Sequence, residues 1–195
     1  MIGVVVIHKS MSLDGFVAGP AVSVEDPMGK GGERLHEWLF EQSSQADVDV
    51  AAAIFAEVGA VVLGRRTFEV GRPQWEDTPY PVPCFVLTHH AQLPIVEKSG
   101  TFTFVTDGAV SAVSQARAAA DGRSVIVMGA ETSHALLAAG LADEIQINLV
   151  PVLLGDGVRL FDDLPGPIDL ERLSLIETDE ATHMRFRVRT PDGAS

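Results

Sequence analysis

Five short apolar runs constrain this chain more than any other feature: IGVVVI (2–7), GAVVLG (59–64), CFVLT (84–88), TFTFVT (101–106) and SVIVMG (124–129). Each is rich in Val, Ile or Phe and is bounded by Gly, Pro or Asp. Such runs, too short for helices, read as strands buried on both faces. Stretches with helical spacing separate them. In GERLHEWLFEQS (32–43), Leu35, Trp38 and Leu39 fall at i, i+3 and i+4. In DVDVAAAIFAEVG (47–59), Val50, Ile54 and Val58 share a face and Gly59 ends the helix. DGAVSAVSQARAAADG (107–122) opens on an Asp cap and closes on Gly122; ETSHALLAAG (131–140) offers Thr132 or Ser133 as cap and Gly140 as stop. Strands alternating with helices pair in parallel, because parallel neighbours need a long crossover.

The pattern changes after Gly140. In DEIQINLVP (143–151), Ile145, Ile147 and Leu149 alternate with Glu144, Gln146 and Asn148. LSLIETD (173–179) and THMRFRVRT (182–190) come next with only a short turn between them, which makes an antiparallel hairpin. The expected fold is α/β, with a mostly parallel central sheet and an antiparallel C-terminal hairpin, in a single domain spanning 1–195. Such sheets bind ligands at the carboxyl ends of their parallel strands.

The bulk numbers narrow the function. A formal net charge of -13 argues against a nucleic-acid binder and against an anionic membrane surface, since both need clustered Lys and Arg. No apolar stretch approaches the ~20 residues that span a bilayer. MIGVVVIHKS is too short, and lacks the basic start, for a signal peptide. The one cysteine, Cys84, permits neither an internal disulfide nor a cysteine metal cluster and reads as a small core residue. A cytoplasmic setting and no bound metal are the expectations.

The candidate site lies in the segments at the strand ends. SMSLDGFVAGP (10–20) succeeds the first strand, and LGRRTFEVGRPQW (63–75) carries the second into a helix. In LGRRT, Gly64 permits a tight turn, and Arg65, Arg66 and Thr67 open the helix, where free N–H groups favour an anion. On spacing alone this reads equally as a phosphate fork or as two solvated arginines on a turn. MGAETSHALLAAG (128–140) is a second strand–Gly–helix junction, and LTHH (87–90) is a polar strand end. Asp14 is either a turn residue bonding its own backbone or a carboxylate that relays a proton through water. GPAVSVEDPMGKGGERLHEWLF (19–40) is long enough to form a flap, with Gly15 and Gly19 at its hinge.

Four stretches, MSLDGFVAG, VVLGRRTFEVG, VIVMGAETSHALLAAGLADEI and PVLLGDGVRLF, together resemble the dihydrofolate reductase-like superfamily. The nearer resemblance is to the bacterial branch typified by the C-terminal reductase domain of the riboflavin-biosynthesis deaminase/reductase. The resemblance implies a three-layer αβα fold, NADPH as hydride donor, a small-molecule heterocyclic substrate and a homodimer. It places Arg65 at the adenosine 2′-phosphate, with Arg66 and Thr67, after Gly64, near the pyrophosphate. Thr88 and His89 fall at the adenosine end. Met128, Gly129, Ala130, Glu131 and Thr132 form the second cofactor turn, where the family has a Gly-Gly pair joined by a cis peptide. Ser10 and Val17 flank the nicotinamide through their backbone. Trp38, Trp75 and Asn148 fall on the substrate side, and Asp14 is the carboxylate nearest the nicotinamide. Dihydrofolate reductases keep an acid on their first helix; by alignment Leu35 stands there, while Glu33, Glu37 and Glu41 read as a solvated face. The implied activity is reduction of a ribosylamino-pyrimidine or another small heterocycle. A pterin reductase and a non-catalytic NADPH-binding protein are the alternatives.

Overall fold

Val5–Ser12 (β1) and Ser124–Met128 (β7) run side by side and in parallel at the centre of a nine-stranded sheet. The computed structural model describes residues 3–41, 44–162, 164 and 166–189. The other strands of this sheet are Val58–Gly64 (β3), Cys84–Leu87 (β4), Ile95–Val96 (β5), Thr101–Val105 (β6), Glu144–Val150 (β8), Leu170–Glu177 (β10) and Thr182–Val188 (β11). Their order is β10-β11-β8-β1-β7-β3-β4-β6-β5. The six strands from β8 to β6 pair in parallel; β11, β10 and β5 join antiparallel. A separate two-stranded ribbon pairs Phe16–Ala18 (β2) with Val158–Arg159 (β9).

Helices cover both faces, giving three layers. Gln45–Glu57 (α2) and Arg65–Trp75 (α3) pack through Val50, Ile54 and Phe68 on Val6, Val61 and Leu63. Ala109–Ala119 (α4) and Ala130–Ala138 (α5) pack through Val113 and Leu136 on Val5, Ile7 and Val62 on the opposite face. The all-apolar strands are therefore buried from two sides, as their lack of alternation requires. This is the dihydrofolate reductase-like architecture, a mostly parallel sheet with an antiparallel C-terminal hairpin.

Several local expectations are corrected. The 32–41 stretch is not one helix but a 3-10 turn, Gly32–His36, followed by a single α turn, Glu37–Phe40 (α1). Leu35 and Trp38 are nonetheless buried, in a small cluster with Val150 and Val152. Val58 begins β3 rather than ending α2, and Gly59 is no helix stop: a Cβ there would lie 2.4 Å from the Ala120 carbonyl oxygen. Asp107 does not cap α4, whose N-cap is Gly108. Thr132 and Ser133 lie inside α5, which Gly129 caps, and Ser133 Oγ donates back to the Gly129 carbonyl at 2.8 Å. Gly140, at φ 64, does follow the end of α5. Ile2, Gln42, Ser43 and Thr190 belong to the expected elements but lie outside the described residues.

Candidate active site

The sheet creates a crevice between β3 and β7. These strands are adjacent and parallel, with Leu63 opposite Met128. β3 runs into α3 on one face, towards β4; β7 runs into α5 on the other face, towards β8. Neighbouring strands whose connections leave in opposite directions open a gap at their carboxyl ends. The two turns interlock. A Cβ on Gly64 would lie 2.7 Å from Thr132 Oγ1, and one on Gly129 would lie 2.4 Å from Thr67 Oγ1. Gly64, Thr67, Gly129 and Thr132 are thus brought together as expected. The Thr132 hydroxyl, however, is buried against Gly64 rather than open to the crevice.

Each helix starts on a glycine with no side-chain capping bond. First-turn N–H groups are left free, and the helix dipoles favour negative charge there. The first turn of α3 carries Arg65 and Arg66 and no acid. Arg65 Nε donates to Glu69 Oε1 at 2.7 Å, an exposed i,i+4 tie of the kind worth a fraction of 1 kcal/mol (~0.3–0.5) and easily released. Arg66 Nη2 reaches the Val22 carbonyl at 3.5 Å, and Gln74 Nε2 reaches that of Val24 at 3.3 Å, so the 20–31 connection rests on α3. The first turn of α5 is less welcoming, because it carries exposed Glu131. Every described peptide bond is trans, Gly129–Ala130 included. Thr88 is buried and spends its hydroxyl on the His90 N–H at 3.1 Å; His89 is exposed at the end of β4.

At the end of β1, Asp14 reaches beyond its own turn. It accepts from the Leu154 N–H at 3.1 Å and the Gly155 N–H at 2.7 Å, tying the strand end to the loop after β8. Hydrogen bonding from Ser12, with those of the Gly155 and Leu154 amides, draws its carboxyl down to about 2. Val17, half-buried in β2, stands beside it. A pocket of about 440 Å³ opens nearby, between Phe16, Ala130, Glu131, His134 and the 155–159 loop. Arg159 crosses that loop, with its guanidinium 4.4 Å from the Phe16 ring centroid.

The substrate-side residues separate. Trp75 belongs to the core: it stacks on Phe102 with ring centroids 6.4 Å apart and lies against Gly71 of its own helix. Its amphipathic helix turns it inward, away from β1. Trp38 is buried and donates from Nε1 to Ser10 Oγ at 2.9 Å, while its ring meets His183 edge-on at 4.9 Å. Asn148 is fully buried and joins two histidines, with Nδ2 2.8 Å from His8 Nε2 and Oδ1 2.8 Å from His183 Nδ1. His183 Nε2 in turn lies 2.8 Å from Asp47 Oδ1.

Asp47, His183, His8, Lys9 and His36 form a polar cluster that sequence reading missed. One signal was present: His8 and Lys9 interrupt an otherwise apolar strand, and a polar pair inside a buried strand is informative. The His183 signal was not, since its partnership with Asn148 depends on the β8–β11 register. Burial pushes His36 down to about 4, and its Nδ1 is buried with no partner among the described residues. The first full helix does carry an acid near its start, Asp47 rather than a residue near Leu35. Its carboxylate is already engaged by Ser44, Thr178 and His183. Among the described residues no His, Cys, Asp or Glu group is arranged to hold a metal, and no helix is long and apolar enough to cross a membrane.

Comparison with known proteins agrees with this geometry. The RibD C-terminal domain family matches residues 4–184. The Bacillus subtilis (strain 168) protein YwjB, itself uncharacterised, is 25% identical over 182 residues, covering 93% of this chain and 95% of its own. A candidate riboflavin biosynthesis protein from Shewanella sp. PV-4 superposes with a TM-score of 0.73 at 24% identity, covering 97% of this chain and 100% of its own. A Thermotoga maritima diaminohydroxyphosphoribosylaminopyrimidine deaminase/5-amino-6-(5-phosphoribosylamino)uracil reductase superposes with a TM-score of 0.62 at 15% identity. That match covers 96% of this chain but 57% of the Thermotoga chain.

Proposed function

The chain belongs to the RibD C-terminal domain family, and on that premise we propose that it is an NADPH-dependent reductase of a small heterocycle, of the kind represented by 5-amino-6-(5-phosphoribosylamino)uracil. The observation that carries the reading is the crevice between β3 and β7. It offers uncapped helix starts on both sides and two arginines on one. That donor set fits a dinucleotide diphosphate and a 2′-phosphate; Glu131, which opposes it, is exposed.

NADPH, when bound, supplies the hydride. The chain's own residues have the simpler tasks of holding and shielding. Arg65 leaves Glu69 to fork onto the 2′-phosphate, and the α3 amides receive the diphosphate. The backbone at Ser10 and Val17 limits the nicotinamide end. The 20–31 connection, resting on Arg66 and Gln74, covers the crevice and excludes water. Asp14 holds the strand end to the 154–155 amides rather than moving a proton. A pterin reductase is the weaker reading, because Asp47, the acid near the start of the first full helix, is already engaged by Thr178 and His183.

Calorimetric titration with NADPH and NADH tests the cofactor. NADPH binds more tightly, and Arg65→Ala lowers NADPH affinity on the order of tenfold, about 1.4 kcal/mol, without touching NADH. Equal affinities for the two cofactors sink the Arg65 assignment. Single-turnover oxidation of NADPH with 5-amino-6-(5-phosphoribosylamino)uracil then separates a reductase from a protein that only binds the cofactor.

A further inference from the structure

The hydrogen bonds from Asp47 to His8 can be followed donor by donor. Burial alone would raise the Asp47 carboxyl, but bonds from Ser44, His183 and Thr178 outweigh it and hold the group below its ordinary value. Its Oδ2 accepts from the Ser44 N–H at 2.8 Å and the Ser44 hydroxyl at 2.6 Å. Its Oδ1 accepts from the Thr178 hydroxyl at 2.9 Å and His183 Nε2 at 2.8 Å. An ionised carboxylate only accepts, so His183 Nε2 carries a proton. Asn148 Oδ1 also only accepts, so His183 Nδ1, 2.8 Å away, carries one too. A histidine donating from both nitrogens is an imidazolium, and Asp47 is its counter-charge. The Asn148 amide nitrogen then faces His8 Nε2 at 2.8 Å. An amide nitrogen only donates, so His8 Nε2 has no proton and the ring is neutral with its proton on Nδ1.

Independent features agree. Burial pushes His8 down to about 3, and the neighbouring basic groups, Lys9 first, act in the same direction. His8 Nδ1 has no protein partner among the described residues, and the side chain is half-buried. His8 lies opposite Gln146 of β8. On its other side, continuing the Ile7–Val127 pairing by one residue places it beside Met128, the last residue before the Gly129 turn. His8 therefore neighbours, across the sheet, the strand end that leads into the crevice.

We propose that Asp47, His183 and Asn148 are positioning residues that fix His8 as an Nδ1–H donor, and that this donor hydrogen-bonds an acceptor atom of the heterocycle being reduced. A free neutral histidine favours the Nε2–H form, so the buried groups are what impose the other tautomer. The identity of the ligand rests on the reductase reading above; the tautomer does not.

Long-range nitrogen–proton correlation spectra of the intact, 15N-histidine-labelled protein test this. In the wild type the hydrogen-bond chain requires His8 protonated on Nδ1 alone and His183 on both nitrogens. Asp47→Asn removes the counter-charge. His183 then loses its second proton, the Asn148 amide turns over, and His8 becomes Nε2–H. An Nε2–H His8 in the wild type overturns the proposal, whether or not the variant folds; so does a His8 tautomer unmoved in a folded Asp47→Asn protein. Adding 5-amino-6-(5-phosphoribosylamino)uracil with NADP+ shifts the His8 Nδ1 resonance; an unshifted resonance in a complex that calorimetry shows to be formed removes the substrate contact. Failure to bind NADPH or NADP+ would strike the reductase reading and leave the tautomer result standing.

Discussion

Lys9 takes an ammonium group into the edge of the interior, where Nζ donates to the Val127 carbonyl at 2.6 Å and the His8 carbonyl at 3.1 Å. Among the described residues no carboxylate pairs with it, and burial pushes it from 10.5 down to about 7. The unfolded chain therefore binds more protons than the folded one between about pH 7 and 10.5, so stability rises with pH across that window. Lys9→Met removes this slope, on the order of 1 kcal/mol per pH unit. Urea unfolding of both proteins at a series of pH values measures it, and parallel curves would mean that Lys9 keeps an ordinary charge. Asp14 is also held below its ordinary value, so stability rises with pH there too, in the acid window between about pH 2 and 3.8. Its turn setting was legible, but its partners, Leu154 and Gly155, come from 140 residues away and were not.

At the scale of elements, the decisive contact is between the two strand–Gly–helix turns. Gly129 has φ 88, which strains any L side chain, and its Cβ would also strike Thr67. Gly129→Ala therefore costs about 1–3 kcal/mol, and Thr67→Ala does not restore it. Gly64 has an ordinary φ of -78, so its only obstacle is the Thr132 hydroxyl. Gly64→Ala is destabilising alone and is largely rescued by Thr132→Ala. Denaturant midpoints of the four single variants and two pairs check this; equal rescue at both glycines would mean that backbone conformation plays no part. The capping residues show why local reading misplaced helix starts. Thr132, Ser133 and Asp107 have good capping chemistry, but the close approach of Thr67 at α5 and a φ of 96 at α4 put glycines at the N-caps instead.

For the whole molecule, one edge of the sheet, β10, has no covering strand among the described residues. One side of β10 pairs with β11, and its Leu170, Leu173, Leu175 and Ile176 are exposed. An apolar edge strand invites pairing, and a second copy of the chain laid along it accounts for the homodimer implied by the resemblance. Sedimentation velocity tests this: a dimer is expected, and Leu175→Lys shifts it to monomer. A wild-type monomer at micromolar concentration would end the idea. The sequence alone determined the α/β class, the parallel pairing of the five apolar strands and the two glycine turns, because these derive from hydrophobic period and from residues adjacent in the chain. Only the tertiary structure decided that Trp75 packs on the core, that Asn148 bridges two histidines, and that Asp47 joins them through His183. Those partnerships depend on the register of β1, β8 and β11 and on the seat of α2, which set distances between residues more than a hundred positions apart.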